Sequence, residues 1–113
     1  MDFGYKLWLE EEDKKIFGRG PMELLKKIDE LGSLRKASIH MNMSYSKAWN
    51  LIKDLEDSLS LEILEKKIGG QQGGGSSLTQ DARNLIDSYS KFSQEADKSI
   101  RLIFEKYFKD MKG

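Results

Sequence analysis

The sequence contains no cysteine, which excludes disulfide bridges and thiolate metal sites outright. It has a single histidine, His40. Near the end of a short helix, with no cysteine or second histidine beside it, His40 reads as a surface or capping residue and not as a metal ligand. Long apolar runs are also missing. None approaches the ~20 residues that a membrane-crossing helix needs, and the acidic start does not resemble a secretory signal. The expectation is a soluble, cytoplasmic protein of one domain. At 113 residues it should bury roughly two-thirds of its extended surface, enough for a core without covalent staples.

An excess of either charge is absent too, with 19 basic residues against 19 acidic ones. Neutrality weakens long-range attraction to phosphate, but the distribution is uneven. Residues 1–13 carry five acids and one lysine. Between 33 and 53, Arg35, Lys36, Lys47 and Lys53 occur with no acid at all. Residues 54–65 are acidic again, and 66–79 hold only Lys66 and Lys67 as charged groups. Such clusters are commonly solvated faces, yet a local basic patch can dock on a polyanion. Scattered acids such as Asp29, Glu30, Asp54, Glu56 and Asp57 lie on amphipathic helices with no pocket in sight. They read as solvated, so no catalysis and no cofactor is expected.

The chain's pattern predicts a mainly α fold with small β elements. Residues 5–10 alternate around Leu7 and Leu9, Glu11-Glu12-Asp13 suits a turn, and Lys15–Gly18 suits a returning strand, giving a hairpin over 5–18. Pro21 then fits the first position of a helix. Met22, Leu24, Leu25, Ile28 and Leu31 form its apolar stripe, and Gly32 ends it. Ser33 can cap a two-turn helix with Leu34, Ala37 and Met41 inward. Asn42 tolerates a left-handed corner, and Ser44 can cap a third helix whose inner side is Ala48, Leu51, Ile52, Leu55 and Leu59. Two helices joined this tightly over 33–59 make a helix-turn-helix. Trp8, Phe17 and Trp49 are expected in the core between hairpin and helices, Trp49 at the margin of the third helix's inner side, with Met22, Met41 and Met43 packing at the core's corners.

After it, 61–68 is β-compatible, Gly69–Gly75 is glycine-rich, and Ser76-Ser77-Leu78 offers a return strand. This reads as the wing of a winged helix, the alternative being a plain flexible linker. The glycine run lacks the Lys-Ser/Thr ending of a phosphate-binding loop. Thr79 can cap a last helix reaching to about 111. Ile86, Tyr89, Ala96, Ile100, Ile103, Phe104 and Tyr107 make an apolar stripe too long for a small winged helix to cover. Pairing with a second copy through these residues is expected, against the alternative that the helix folds back on its own domain. The domain division is a winged unit over 1–79 and a dimerisation helix over 80–113.

The stretch Gly32-Ser33-Leu34…Met41-Asn42-Met43-Ser44-Tyr45-Ser46-Lys47-Ala48-Trp49, with the glycine wing and Leu78-Thr79, resembles the DNA-binding domain of the ModE-type molybdate-responsive regulators. These are relatives of the LysR-type winged helices, and the likeness runs over about residues 5–92. Asn42 stands where the family usually has glycine, and Gln80 where proline often opens the last helix. Family members that sense molybdate carry a further C-terminal oxyanion-binding region. The chain ends at Gly113, so it is expected to be a stand-alone member or a piece cut at the domain boundary. The resemblance implies a DNA-binding regulator and does not imply molybdate binding.

On that reading the third helix enters the major groove of duplex DNA, with Ser46, Lys47 and Asn50 at base edges. Arg35, Lys36, Ser44, Tyr45 and Lys53 would meet phosphates, and Lys66, Lys67, Gln71 and Gln72 of the wing would lie along the backbone or minor groove. A two-fold homodimer would call for an inverted-repeat operator, and the resemblance implies a link to molybdate or other oxyanion transport genes. The competing reading is a winged-helix module that binds a protein partner and no DNA.

Overall fold

The computed structural model describes residues 1–66 and 75–111. Its elements in chain order are β1 (Leu9–Glu11), β2 (Lys14–Phe17), α1 (Arg19–Leu31), α2 (Leu34–His40), α3 (Tyr45–Leu59), β3 (Leu64–Lys66), β4 (Ser76–Leu78) and α4 (Gln80–Phe108). The three- and four-residue spacing of apolar side chains turns one face of each of the first three helices inward. Leu24, Leu25 and Ile28 of α1, Leu34 and Ala37 of α2, and Ala48, Ile52 and Leu55 of α3 meet in one buried cluster. Phe17, Ile63, Leu78, Ala82 and Tyr89 complete it. Met22, Met41 and Met43 pack at its edge, as their flexible thioethers suit.

The first hairpin is shorter than its sequence pattern suggests. β1 and β2 pair antiparallel with Glu11 opposite Lys14, and the two residues between them, Glu12 and Asp13, both take positive φ. That geometry matches the right-handed twist of the flanking strands. The strand predicted from Tyr5 begins only at Leu9. Residues before it form an arm laid along α4, because their aromatic rings find more to pack on there than a lone strand edge offers. The Tyr89 hydroxyl donates to the Leu7 carbonyl at 2.8 Å, and the Tyr5 hydroxyl donates to Asp97 at 2.7 Å. Farther along, the Phe3 and Phe104 rings lie 4.8 Å apart.

Helix α1 also starts earlier than expected, at Arg19, which puts Pro21 at its third position. The shift is harmless, since N–H groups of the first turn have no intrahelical acceptor. The first helical bond is that of the Met22 N–H to the Gly18 carbonyl, 3.0 Å. Gly32 ends the helix with φ of 70°. The second hairpin, β3 with β4, pairs Leu64 with Leu78 and Lys66 with Ser76. It is tied down at its base: Thr79 donates its hydroxyl to the Glu62 carbonyl at 2.6 Å and accepts the Ala82 N–H at 3.1 Å. One threonine thereby closes the hairpin and caps α4.

Helix α4 leaves this cap and crosses α1, where Arg83 holds Asp29 through two hydrogen bonds of 3.0 and 2.8 Å. Tyr89, expected at a contact between two copies, is instead buried in the chain's own core. Its ring meets Phe17 edge-on at 5.2 Å, and its hydroxyl is occupied by Leu7. Both contacts exist because the arm and β2 converge on this turn of the helix. Among the described residues, no helix is long and apolar enough to cross a membrane.

Candidate nucleic-acid interface

Two serine caps and one corner set the helix that matters most. Ser33 accepts the Lys36 N–H at 3.1 Å and starts α2. Asn42 turns the chain with φ of 55°, and the Met43 N–H returns to the Ser38 carbonyl at 3.0 Å. Ser44 then accepts the Lys47 N–H at 3.1 Å and starts α3. The corner therefore depends on a left-handed residue flanked by hydroxyl caps, and the sequence supplies both.

With Ala48, Ile52 and Leu55 buried, the opposite side of α3 is open. Ser46, Lys47 and Asn50 are all exposed there. No acid stands in the first turn, so the partial positive charge of the helix N-terminus is not cancelled. Asp54 and Asp57 are exposed on the second half of the helix, which would repel phosphate. The N-terminal half is the part suited to a polyanion.

The residues predicted to meet phosphates are partly brought together around it. The Arg35 guanidinium lies over the Tyr45 ring at 4.7 Å, joining α2 to the start of α3. Lys53 lies over the Trp49 ring at 5.2 Å, with its ammonium 3.4 Å from Glu56. Lys36 is exposed on α2, and exposed Ser44 is engaged by its capping bond. In the second hairpin, the backbone of Lys66 pairs with Ser76. The Lys66 side chain and the expected contacts Lys67, Gln71 and Gln72 lie outside the described residues.

Along α4 the predicted contact stripe divides. Ile86 packs against the core and Tyr89 is buried in it. Ala96, Ile100 and Phe104 are half-buried, and Phe104 stacks on Phe108 at 5.3 Å. Ile103 and Tyr107 are 57% and 62% exposed, more than any folded core residue.

Two aromatic residues expected in the core are not there. Trp8 and Trp49 are 40% and 42% exposed, whereas Phe17 is fully buried as expected. For Trp49 the signal was present in the spacing: it follows Ala48 directly, so it sits about 100° around the helix from the buried stripe. Tyr45, Ser46, Trp49 and Asn50 line a shallow depression of about 300 Å³ on the outer edge of α3. A larger cleft of about 660 Å³ lies between the arm, the first hairpin and α4, and no residue of α3 lines it. His40 is exposed, and among the described residues no group of three or more His, Asp or Glu side chains is placed to hold a metal ion.

Residues 21–83 match the model of the bacterial regulatory helix-turn-helix proteins of the LysR family. The chain belongs to that family. The matched span runs from α1 through both capped helices and β4 into α4, so it includes the whole open edge of α3. Among curated proteins, the chain is similar to the transcriptional regulator ModE of Haemophilus influenzae, 28% identical over 82 residues, which is 73% of this chain and 32% of that protein. It is 42% identical to ModE of Yersinia pestis over 67 residues, 58% of this chain and 25% of the other. The DNA-binding transcriptional dual regulator ModE of Escherichia coli K12 is 29% identical over 73% of this chain and 31% of its own length. The LysR-family chain thus spans about a third of the length of these relatives. Among solved structures, the DNA-binding domain of CbnR in complex with DNA superposes with a TM-score of 0.56 at 16% identity, covering 78% of this chain and 95% of that one. The fold is a winged helix-turn-helix of the LysR type.

Proposed function

We propose that this LysR-family chain is a sequence-specific DNA-binding transcriptional regulator that reads the major groove with the N-terminal half of α3. The observation that carries the reading is the open edge of that helix. Ser46, Lys47 and Asn50 are exposed opposite Ala48, Ile52 and Leu55, on a helix whose first turn holds no acid. An α-helix fits the groove, a lysine can donate to guanine, and an asparagine has the donor and acceptor that match adenine. Arg35, Lys36 and Tyr45 flank this edge as phosphate contacts, with Lys53 beyond them.

The working form is a homodimer joined through Ile100, Ile103, Phe104 and Tyr107 of α4, acting in the cytoplasm on an inverted repeat. Exposure of Ile103 and Tyr107 supports this, since apolar side chains in a helical stripe are stabilised by a matching helix. The role is binding, not catalysis. Similarity to proteins named ModE, and to the molybdenum transport protein ModE of Azotobacter vinelandii, supports an operator near molybdate or other oxyanion transport genes.

A gel shift with duplex DNA at two salt concentrations tests the central claim. Binding weakens steeply with salt because phosphate contacts release counterions. Lys47→Ala and Asn50→Ala each weaken cognate binding by about 1–3 kcal/mol, with a smaller loss on random duplex. Equal losses on both kinds of DNA would show that neither side chain reads sequence. Absence of binding at low salt would put a protein-interaction role ahead.

A further inference from the structure

The exposed Trp49 has no part in the contacts assigned so far. Exposure alone does not single it out, since Trp8 beside the first hairpin is 40% exposed; what does is its place next to the polar edge of α3. Trp49 is 42% exposed, and Tyr45, one turn earlier on the same side of α3, is 41% exposed. Between them and the polar pair Ser46 and Asn50 lies the shallow depression on the outer edge of the helix. A cation lies over one face of each ring: Arg35 at 4.7 Å from the Tyr45 ring, and Lys53 at 5.2 Å from the Trp49 ring. Both rings stand beside the polar edge of α3 formed by Ser46 and Asn50.

We propose that Trp49, supported by Tyr45, is a specificity-determining residue that contacts the C5-methyl group of thymine. In the major groove an A·T pair shows the adenine N7 and N6 groups beside the thymine O4 and methyl. Asn50 provides the amide that matches adenine, and Trp49, on the neighbouring side of the helix, provides the apolar surface that matches the methyl. The two residues together select A·T pairs in each half-site. Arg35, over the Tyr45 ring at the N-terminal end of α3, would neutralise a phosphate there while orienting the reading surface, whereas Lys53 is shared between the Trp49 ring and Glu56. This assignment rests on the DNA-binding reading above and adds the identity of the recognised base pair.

The test uses the full chain to select duplexes from a pool with a randomised centre. The enriched duplex is then remade with each thymine in turn replaced by deoxyuridine, which lacks only the C5-methyl group. Affinities are measured for the wild type, Trp49→Ala and Trp49→Phe. At one or two positions per half-site, uracil should weaken wild-type binding roughly fourfold, which is what burying one methyl-sized group is worth. The same replacement should leave Trp49→Ala unchanged and Trp49→Phe in between. If wild type and Trp49→Ala lose the same factor at every position, or if no thymine matters, the assignment is overturned while DNA binding stands. If no duplex is enriched and random duplex is not bound at low salt, the DNA-binding reading falls and takes this one with it. Helicity measured by circular dichroism separates a misfolded Trp49→Ala from a folded one, and Trp49→Phe, which keeps a ring for Lys53, decides the matter if the alanine variant unfolds.

Discussion

The two halves of α4 belong to one uninterrupted helix, yet their surroundings differ. In the first half Ala82 and Tyr89 are buried, Leu85 and Ile86 pack against the core, and Arg83 grips Asp29. In the second half no residue is buried; the arm covers one side through Phe3 and Tyr5, and Leu102, Ile103 and Tyr107 stand exposed. A 29-residue helix extends roughly 44 Å at 1.5 Å per residue, more than the small core below it can cover. What differs is the supply of partners. The first half has its stability from this chain, and the second is left with a free apolar side.

The strongest way to break that contrast is to remove a support of the first half. Phe17 is fully buried and meets Tyr89 edge-on, so Phe17→Ala should destabilise the fold by about 3–5 kcal/mol in urea denaturation. A loss under 1 kcal/mol would mean the first half does not depend on the core. In the second half the effect should fall on assembly. The wild-type thermal midpoint should rise with protein concentration, as it does when folding is linked to dimer formation. Ile103→Glu should abolish that dependence, while Leu102→Glu, about 100° away on the helix, should keep it. Similar behaviour of the two variants would place the dimer contact elsewhere.

A smaller effect is expected at the start of the helix. Thr79→Ala removes both the cap on the Ala82 N–H and the bond to the Glu62 carbonyl, and should cost about 1–2 kcal/mol. Thr79→Ser, which keeps the hydroxyl, should recover most of it. The smallest effect concerns the arm. The Tyr5 phenol is held above its ordinary pKa, chiefly by its hydrogen bond to Asp97, and the Asp97 carboxyl is held below its ordinary range by Tyr5 and then Arg101. The arm's contribution from Asp97 is thus present above the ordinary carboxylate range and lost as pH falls through the lowered value. That from Tyr5 is present below the phenol's ordinary value and lost as pH rises through the raised one. Ultraviolet titration should show a late-ionising tyrosine that disappears in Tyr5→Phe. A tyrosine of ordinary pKa disappearing instead would detach the arm from α4.

Much of the fold could be read from local chemistry. The caps Ser33, Ser44 and Thr79, the left-handed Asn42, and the inner residues of α2 and α3 are where spacing and propensity put them, as are Leu24, Leu25 and Ile28 of α1; Leu31, expected on the same stripe, is 37% exposed because α1 ends beside it at Gly32, past the reach of the core. Glycines and prolines were less exact guides, as the early start of α1 before Pro21 illustrates. The open edge of α3 followed from the same periodicity. The same spacing puts Trp49 at the margin of the stripe, where it is, while the usual burial of large aromatic side chains put it in the core, where it is not.

Sequence alone determined which segments become helices, where the capped helices α2, α3 and α4 start, and which face of each helix turns inward, because hydrogen-bonded caps and apolar spacing act over three or four residues. Tertiary structure alone decided that Phe3, Tyr5 and Leu7 lie on α4 and that Tyr89 serves the chain's own core. Those outcomes depend on contacts between residues more than seventy positions apart, such as Phe17 and Leu7 with Tyr89, and no local pattern encodes which of two apolar surfaces a side chain will meet first.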